Sequence, residues 1–249
     1  MAAEQESQQL HRWAPDLAEA RHVPGWREVD SSGTARVAFH PDHHLYFKAF
    51  MPRSPWERVK GWLRGTRAAR ARTHNEQLRK YGFETPRDIA WGRLTHGREY
   101  QYSTAVPGDG VTHWLRRELT GREPADLLMK RRLLRELGRF VGRLHHAGFV
   151  HGDLRPSNVL AQYSGERFNF ALIDNERTSW HRQIPGKLLL KNLMQLNMLL
   201  SSDLTVTDRW RFFQAWRRQM PELSELEARV LAVEAYQWAR RRLQAKGLK

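Results

Sequence analysis

His151-Gly152-Asp153-Leu154-Arg155-Pro156-Ser157-Asn158-Val159-Leu160 is the stretch that decides how this chain is read. An apolar-striped segment precedes it. A second apolar run follows and ends on an acid, Phe170-Ala171-Leu172-Ile173-Asp174. Asn158 stands five positions after Asp153, and Asp174 sixteen after Asn158. An Asp and an Asn in one loop often form no more than an Asx turn between a helix and a strand. Here the order of elements favours chemistry, because it predicts helix, loop, short strand, turn, short strand and then the acid. Phosphoryl transfer needs a carboxylate to orient the attacking hydroxyl. It also needs an amide oxygen and a second carboxylate to hold Mg²⁺ against nucleotide phosphates.

Written as H-x-D-x-x-x-x-N followed by I-D, these residues match the catalytic and metal loops of kinases. Asp153 is the candidate base, and Asn158 with Asp174 the candidate Mg²⁺ ligands. Upstream, residues 26–50 read as three short strands, with turns at Ser31-Ser32-Gly33-Thr34 and Pro41-Asp42-His43-His44. The Gly33 turn is a candidate for bringing backbone N–H groups to phosphates, and an ordinary hairpin turn explains it equally. Lys48, on the third strand among apolar neighbours, is the candidate phosphate-binding lysine. Glu76, in a predicted helix over 68–81 closed by Gly82, is its candidate partner. A surface acid paired with Arg72 or Lys80 is the other reading of Glu76.

The chain has 249 residues and 40% apolar content, enough for one large domain or two lobes with cores. It contains no Cys, which excludes disulfides and thiolate metal sites. Residues 1–10 are polar and acidic, unlike a signal peptide, and no run reaches the ~18 apolar residues of a membrane span. The net charge of +15 admits nucleic acid, an anionic membrane surface or an anionic substrate as partner, or simply a solvated Arg-rich surface. The 12 His residues form no metal-spaced cluster, and His145-His146 are read as a helix end.

Two further strands are predicted over 89–104, and the Pro- and Gly-rich Ala105-to-Gly110 stretch is the expected lobe boundary. That gives a first lobe over 1–106 and a second over 107–249. A long helix starts at Pro124, its Leu, Phe and Val stripe read as core, and ends at Gly148. Helices are expected near 187–201, 207–220 and 224–245, with Trp210, Phe212, Phe213 and Trp216 as core. Between Arg53 and Lys80 nine Lys/Arg face two acids, Glu57 and Glu76. This segment opens on a capping box, Ser54-Pro55-Trp56-Glu57, and carries Trp56 and Trp62 on one face. Docking on an anionic membrane surface and packing of the Trp face on the lobe are both consistent with it.

The chain resembles the Kdo/heptose kinase family that phosphorylates the lipopolysaccharide core of Gram-negative bacteria. The resemblance runs from Val29 to Arg177. It rests on Phe47-Lys48, on Arg64-Gly65-Thr66-Arg67-Ala68 leading to Glu76, and on Tyr81-Gly82-Phe83-Glu84-Thr85-Pro86. It also rests on the His151-to-Asn158 loop and on Leu172-Ile173-Asp174-Asn175-Glu176-Arg177. It implies an α+β class and a bilobal protein-kinase-like fold, with a small antiparallel-sheet N-lobe and a mainly helical C-lobe. It implies ATP and Mg²⁺ as cofactors and a sugar hydroxyl of the inner-core glycolipid as acceptor. It places the work at the cytoplasmic face of the inner membrane. Asp153 is then the base, Asn158 and Asp174 hold Mg²⁺, Lys48 binds phosphates and Glu76 positions Lys48. Arg155 neutralises charge near the γ-phosphate, and Arg177 positions the metal loop or the acceptor.

Three departures separate the chain from regulated protein kinases. No G-x-G-x-x-G is present, Gly152 replaces the Arg of H-R-D, and Asn175-Glu176 replaces the Phe-Gly of D-F-G. They favour a small-molecule or glycolipid kinase. Another phosphotransferase of aminoglycoside or choline kinase type is the alternative. A non-catalytic basic binding protein is a third reading, with charge but no motif for specific nucleic-acid recognition.

Overall fold

A computed structural model of the chain describes residues 2–31, 33–51 and 66–248. The capping box at Ser54 and the Trp56/Trp62 face therefore lie outside the described residues. The chain forms two compact units, Met1–Gln77 with Thr85–Val106, and Leu78–Glu84 with Pro107–Lys249.

The first unit is built on a five-stranded antiparallel sheet of order β1-β2-β3-β5-β4. Its strands are β1 (Arg27–Val29), β2 (Ala35–His40), β3 (Leu45–Phe50), β4 (Asp88–Arg93) and β5 (Glu99–Thr104). Alternation along β3 buries Leu45, Phe47 and Ala49 on one face and leaves Tyr46 and Lys48 half-buried on the other. The register sets Lys48 opposite Val37 on β2 and Gln101 on β5. The buried face packs against α1 (Ala2–Ala18) through Leu10, Ala14 and Leu17, with Trp26, Tyr100 and Tyr102 in the same cluster. Tyr102 ties the two layers by donating its hydroxyl to the carbonyl of Leu10 at 2.8 Å.

This first helix is absent from the sequence reading, which noted only that residues 1–10 are polar and acidic. Its apolar positions 10, 14 and 17 carry helical spacing, but Pro15 and an acidic, Gln-rich start mask it. Packing holds it: a fully buried Leu is worth about 1.5–3 kcal/mol, enough to override weak propensity. The helix α2 (Arg67–Lys80) sets Ala68, Ala71 and Asn75 inward. Asn75 donates to Asp88 Oδ2 at 3.3 Å and accepts from Thr85 Oγ1 through its carbonyl at 3.2 Å.

The second unit is mainly helical. Residues 78–84 belong to it because Phe83 packs edge-on against Phe140 and Phe149, and the Leu172 N–H donates to the Glu84 carbonyl at 2.9 Å. The central helix is α3 (Pro124–His146), whose predicted stripe (Leu133, Leu134, Leu137, Phe140, Val141, Leu144) is buried. Gly138 and Gly142 let α5 (Val206–Arg217) approach closely: a Cβ at Gly138 would lie 2.3 Å from the Phe212 carbonyl oxygen. The remaining long helices are α4 (Gly186–Leu196) and α6 (Glu225–Ala245).

Two small sheets complete the unit. β6 (Asp109–Gly110) pairs with β8 (Val159–Ser164), which forms a hairpin with β9 (Arg167–Leu172). β7 (Phe149–Val150) pairs with β10 (Ser179–Trp180). α4 stops at Leu196 rather than near Ser201 because its exit is tied to α5. Arg209 donates to the carbonyls of Asn197, Leu199 and Leu200, satisfying groups that a longer helix would have used internally. Trp216, Phe212 and Phe213 are buried as expected, whereas Trp210 is 41% exposed.

Candidate active site

β7 delivers the chain into the loop that begins at His151, and β8 leaves it after Asn158. His151 is buried and holds the loop by both ring nitrogens. The Asp153 N–H donates to Nδ1 at 3.1 Å, so Nδ1 carries no proton, and Nε2 donates to the Ile173 carbonyl at 3.0 Å. Burial lowers its pKa below the usual histidine value, in keeping with a neutral ring. One side chain thus ties the Asp153 loop to the strand end that carries Asp174. A second tie runs from the Ile173 N–H to the Asn158 carbonyl at 3.1 Å.

Asp153 is partly exposed. Its Oδ2 accepts from Arg155 at 2.6 Å, and its Oδ1 from Gln195 at 3.4 Å. Asn158 donates its amide to the Asp153 carbonyl at 2.8 Å, which leaves Oδ1 as its oxygen for a cation. Asp174 sits in the left-handed region at φ 63°, a conformation that costs a non-glycine residue about 1 kcal/mol or more and is kept where surrounding structure fixes it. Asn175 donates to the Leu172 carbonyl at 3.0 Å and closes the turn after it.

Asn158 and Asp174 offer one amide oxygen and one carboxylate, the hard oxygen donors that Mg²⁺ takes alongside nucleotide phosphates and water. They suit that ion better than a softer one. Among the described residues no group of three or more His, Asp or Glu forms a metal cage.

Gly152 is explained by contact. A Cβ there would fall 2.2 Å from Arg177 Cβ and 2.4 Å from the Arg177 carbonyl oxygen. The H-G-D form of the motif therefore lets the segment carrying Arg177 lie directly on the loop. The Arg177 side chain is half-exposed and 3.8 Å from Glu176.

The other predicted residues lie in the first unit. Lys48 holds its Nζ 5.3 Å from the Phe50 ring centroid. Gly33 lies in the exposed turn before β2, where a Cβ would meet nothing within 4 Å, so packing does not demand glycine there. Glu76 lies on the exposed side of α2, away from Ala71 and Asn75, and enters no ion pair among the described residues. The structure thus brings Asp153, Arg155, Asn158 and Asp174 together through direct and one-residue links, and it does not join Glu76 to Lys48.

Sequence reasoning missed the support beneath the loop. Asn192 of α4 is fully buried and donates to the His151 carbonyl at 2.6 Å while accepting the His151 N–H at 3.2 Å. It also donates to Gln195 Oε1 at 3.2 Å. Gln195 accepts the Leu154 N–H at 3.1 Å through the same oxygen, and its amide reaches Asp153. Behind Asn192 stands His145, whose Nδ1 accepts from Trp216 Nε1 at 2.9 Å and whose Nε2 faces Asn192 Oδ1 at 3.2 Å. Burial pulls the His145 pKa down to about 4. The signal was present in the sequence: Asn192 and Gln195 interrupt an apolar helix, and a buried polar side chain needs partners.

This architecture is that of a protein-kinase-like phosphotransferase. A solved structure described as WaaP in complex with acyl carrier protein superposes at a TM-score of 0.58 with 19% identity, covering 92% of this chain and 94% of that one. The aminoglycoside phosphotransferase APH(3'')-Id of Streptomyces rimosus gives 0.52 at 16% identity, covering 92% and 97%. At such identities the likeness shows the fold alone. The lipopolysaccharide kinase (Kdo/WaaP) family model matches residues 24–216, and the chain belongs to that family. A shorter match, 38% identical over 60 residues, joins it to the EKC/KEOPS complex subunit BUD32 of Coccidioides immitis (strain RS). That match spans 24% of this chain and about a fifth (21%) of the curated relative.

Proposed function

We propose that the protein transfers the γ-phosphate of ATP to a sugar hydroxyl of the lipopolysaccharide inner core, on Kdo or heptose. The observation that carries this reading is Asp153, its partly exposed carboxylate held by Arg155 and Gln195 and its backbone carbonyl by Asn158, in a chain of the Kdo/WaaP family. ATP with Mg²⁺ supplies the phosphoryl group and offsets its charge. Asp153 orients the acceptor hydroxyl and takes its proton at a carboxylate oxygen. Asn158 Oδ1 and the Asp174 carboxylate would hold the Mg²⁺ ion. Arg155 is paired with Asp153 at 2.6 Å, and it turns to the γ-phosphate when the acceptor hydroxyl takes its place on the carboxylate.

Lys48 is assigned to the nucleotide phosphates and the Gly33 turn to their cover. Glu76 orients Lys48 only if its exposed side chain turns inward once nucleotide binds. Arg177, lying against the loop at Gly152, is assigned to positioning the metal loop. The acceptor is a membrane glycolipid, so the work is placed at the inner face of the inner membrane. We take that attachment to be peripheral; among the described residues no helix is long and apolar enough to cross a membrane. The test is transfer of labelled γ-phosphate from ATP and Mg²⁺ to core glycolipid acceptors, beside Asp153→Ala. Label in the glycolipid that is lost in the variant supports the reading. ATP binding without label in any core acceptor refutes the acceptor assignment.

A further inference from the structure

α5 and α6 leave an apolar face uncovered. Leu226, Val230 and Val233 recur at i, i+4 and i+7 on α6 and so share one side of that helix. They are 71%, 47% and 49% exposed. Val206 and Trp210 of α5 are exposed as well. Val206, Trp210 and Val233 line one hollow of about 190 Å³, so the exposed groups of the two helices are neighbours and not scattered single residues. Isolated exposed apolar side chains are ordinary, but a contiguous set across two helices marks a covered surface.

Trp210 also lines a second hollow, with Arg217, Arg218 and Arg229. Arg217 pairs with Glu225 at 3.6 Å, while Arg218 and Arg229 enter no ion pair among the described residues. The face therefore grades from Leu and Val through a Trp to unneutralised guanidinium groups.

We propose that the α5–α6 face docks on an anionic phospholipid bilayer. Apolar side chains enter the acyl boundary, Trp210 sits at headgroup depth and the arginines meet lipid phosphates. Charge decides between this occupant and a second copy of the chain. The hollow beside Trp210 sets Arg217, Arg218 and Arg229 against Glu225 alone, so a two-fold contact through this face would set like charges together. A bilayer rich in acidic lipids neutralises them. The inference is independent of the kinase reading, and its test contains no acceptor and reads no phosphate transfer.

The experiment is co-sedimentation of the full chain with phosphatidylcholine vesicles, with and without phosphatidylglycerol. Two double variants accompany it: Leu226→Glu/Val230→Glu and Arg218→Ser/Arg229→Ser. All four side chains lie on the surface or its rim, and circular dichroism verifies that the fold is kept. The wild-type chain is expected to prefer the anionic vesicles. The arginine pair should lose about thirty-fold in partitioning, from about 1 kcal/mol per charge near such a surface. The apolar pair should lose at least tenfold. Equal partitioning of either variant and the wild type overturns the proposal. So does a wild-type dimer that the apolar pair converts to monomer, because the face is then a contact between copies.

Discussion

Acidification should destabilise the protein through His145, by an amount the structure fixes. The ring is neutral in the fold, accepting from Trp216 and facing Asn192, with a pKa of about 4 against an ordinary 6.5. A histidine whose pKa is lowered by folding contributes full stability above 6.5. That contribution is lost as pH falls from 6.5 towards 4, because the unfolded chain takes up the proton first. Between pH 7.5 and 5.5 the unfolded ring titrates and the folded one does not, a loss of about 1.3 kcal/mol. Burial of His151 adds a change of the same sign, so the total alone does not isolate His145. The assay is urea denaturation of the wild-type chain and His145→Gln at both pH values. The variant carries no titrating ring there, so its loss should be smaller by about 1.3 kcal/mol. Equal losses in the two proteins would refute the buried neutral ring.

Replacing Asp153 by Asn should lower the rate of phosphate transfer by roughly 10²–10⁴ without unfolding the protein, measured by steady-state kinetics and circular dichroism. Asn192→Leu keeps the side-chain volume but strips partners from the buried His151 backbone and from His145. At about 1–3 kcal/mol for each orphaned group it should cost several kcal/mol in urea denaturation. Gly152→Ala forces the Arg177 backbone off the loop, so kcat should fall with little change in ATP affinity by calorimetry. Asn158→Ala should raise the Mg²⁺ concentration needed for half-maximal activity, read from a metal titration.

The loop was legible in sequence because phosphoryl transfer constrains residue types at fixed spacing, and those types are few. The long α3 stripe was legible because helical burial repeats every three to four residues. The N-terminal helix was not, since its contribution comes from a sheet far along the chain. Leu10 is bonded through its carbonyl to Tyr102, and no local pattern encodes that partner. Glu76 was assigned from order alone; its exposed position follows from which face of α2 meets the sheet, which Ala71 and Asn75 decide.

By itself, then, the sequence determined the α+β class and the kinase-like fold, and it nominated Asp153, Asn158 and Asp174 for the proposed site. Only the tertiary structure decided what holds Asp153 in place. Asn192, Gln195, His145 and Trp216 lie on three helices, and although Asn192 and Gln195 interrupt an apolar run, nothing local says which groups they meet. Burial gives them their role, because a polar atom removed from water must find a partner wherever the fold provides one, and here the partners are the catalytic loop and one another.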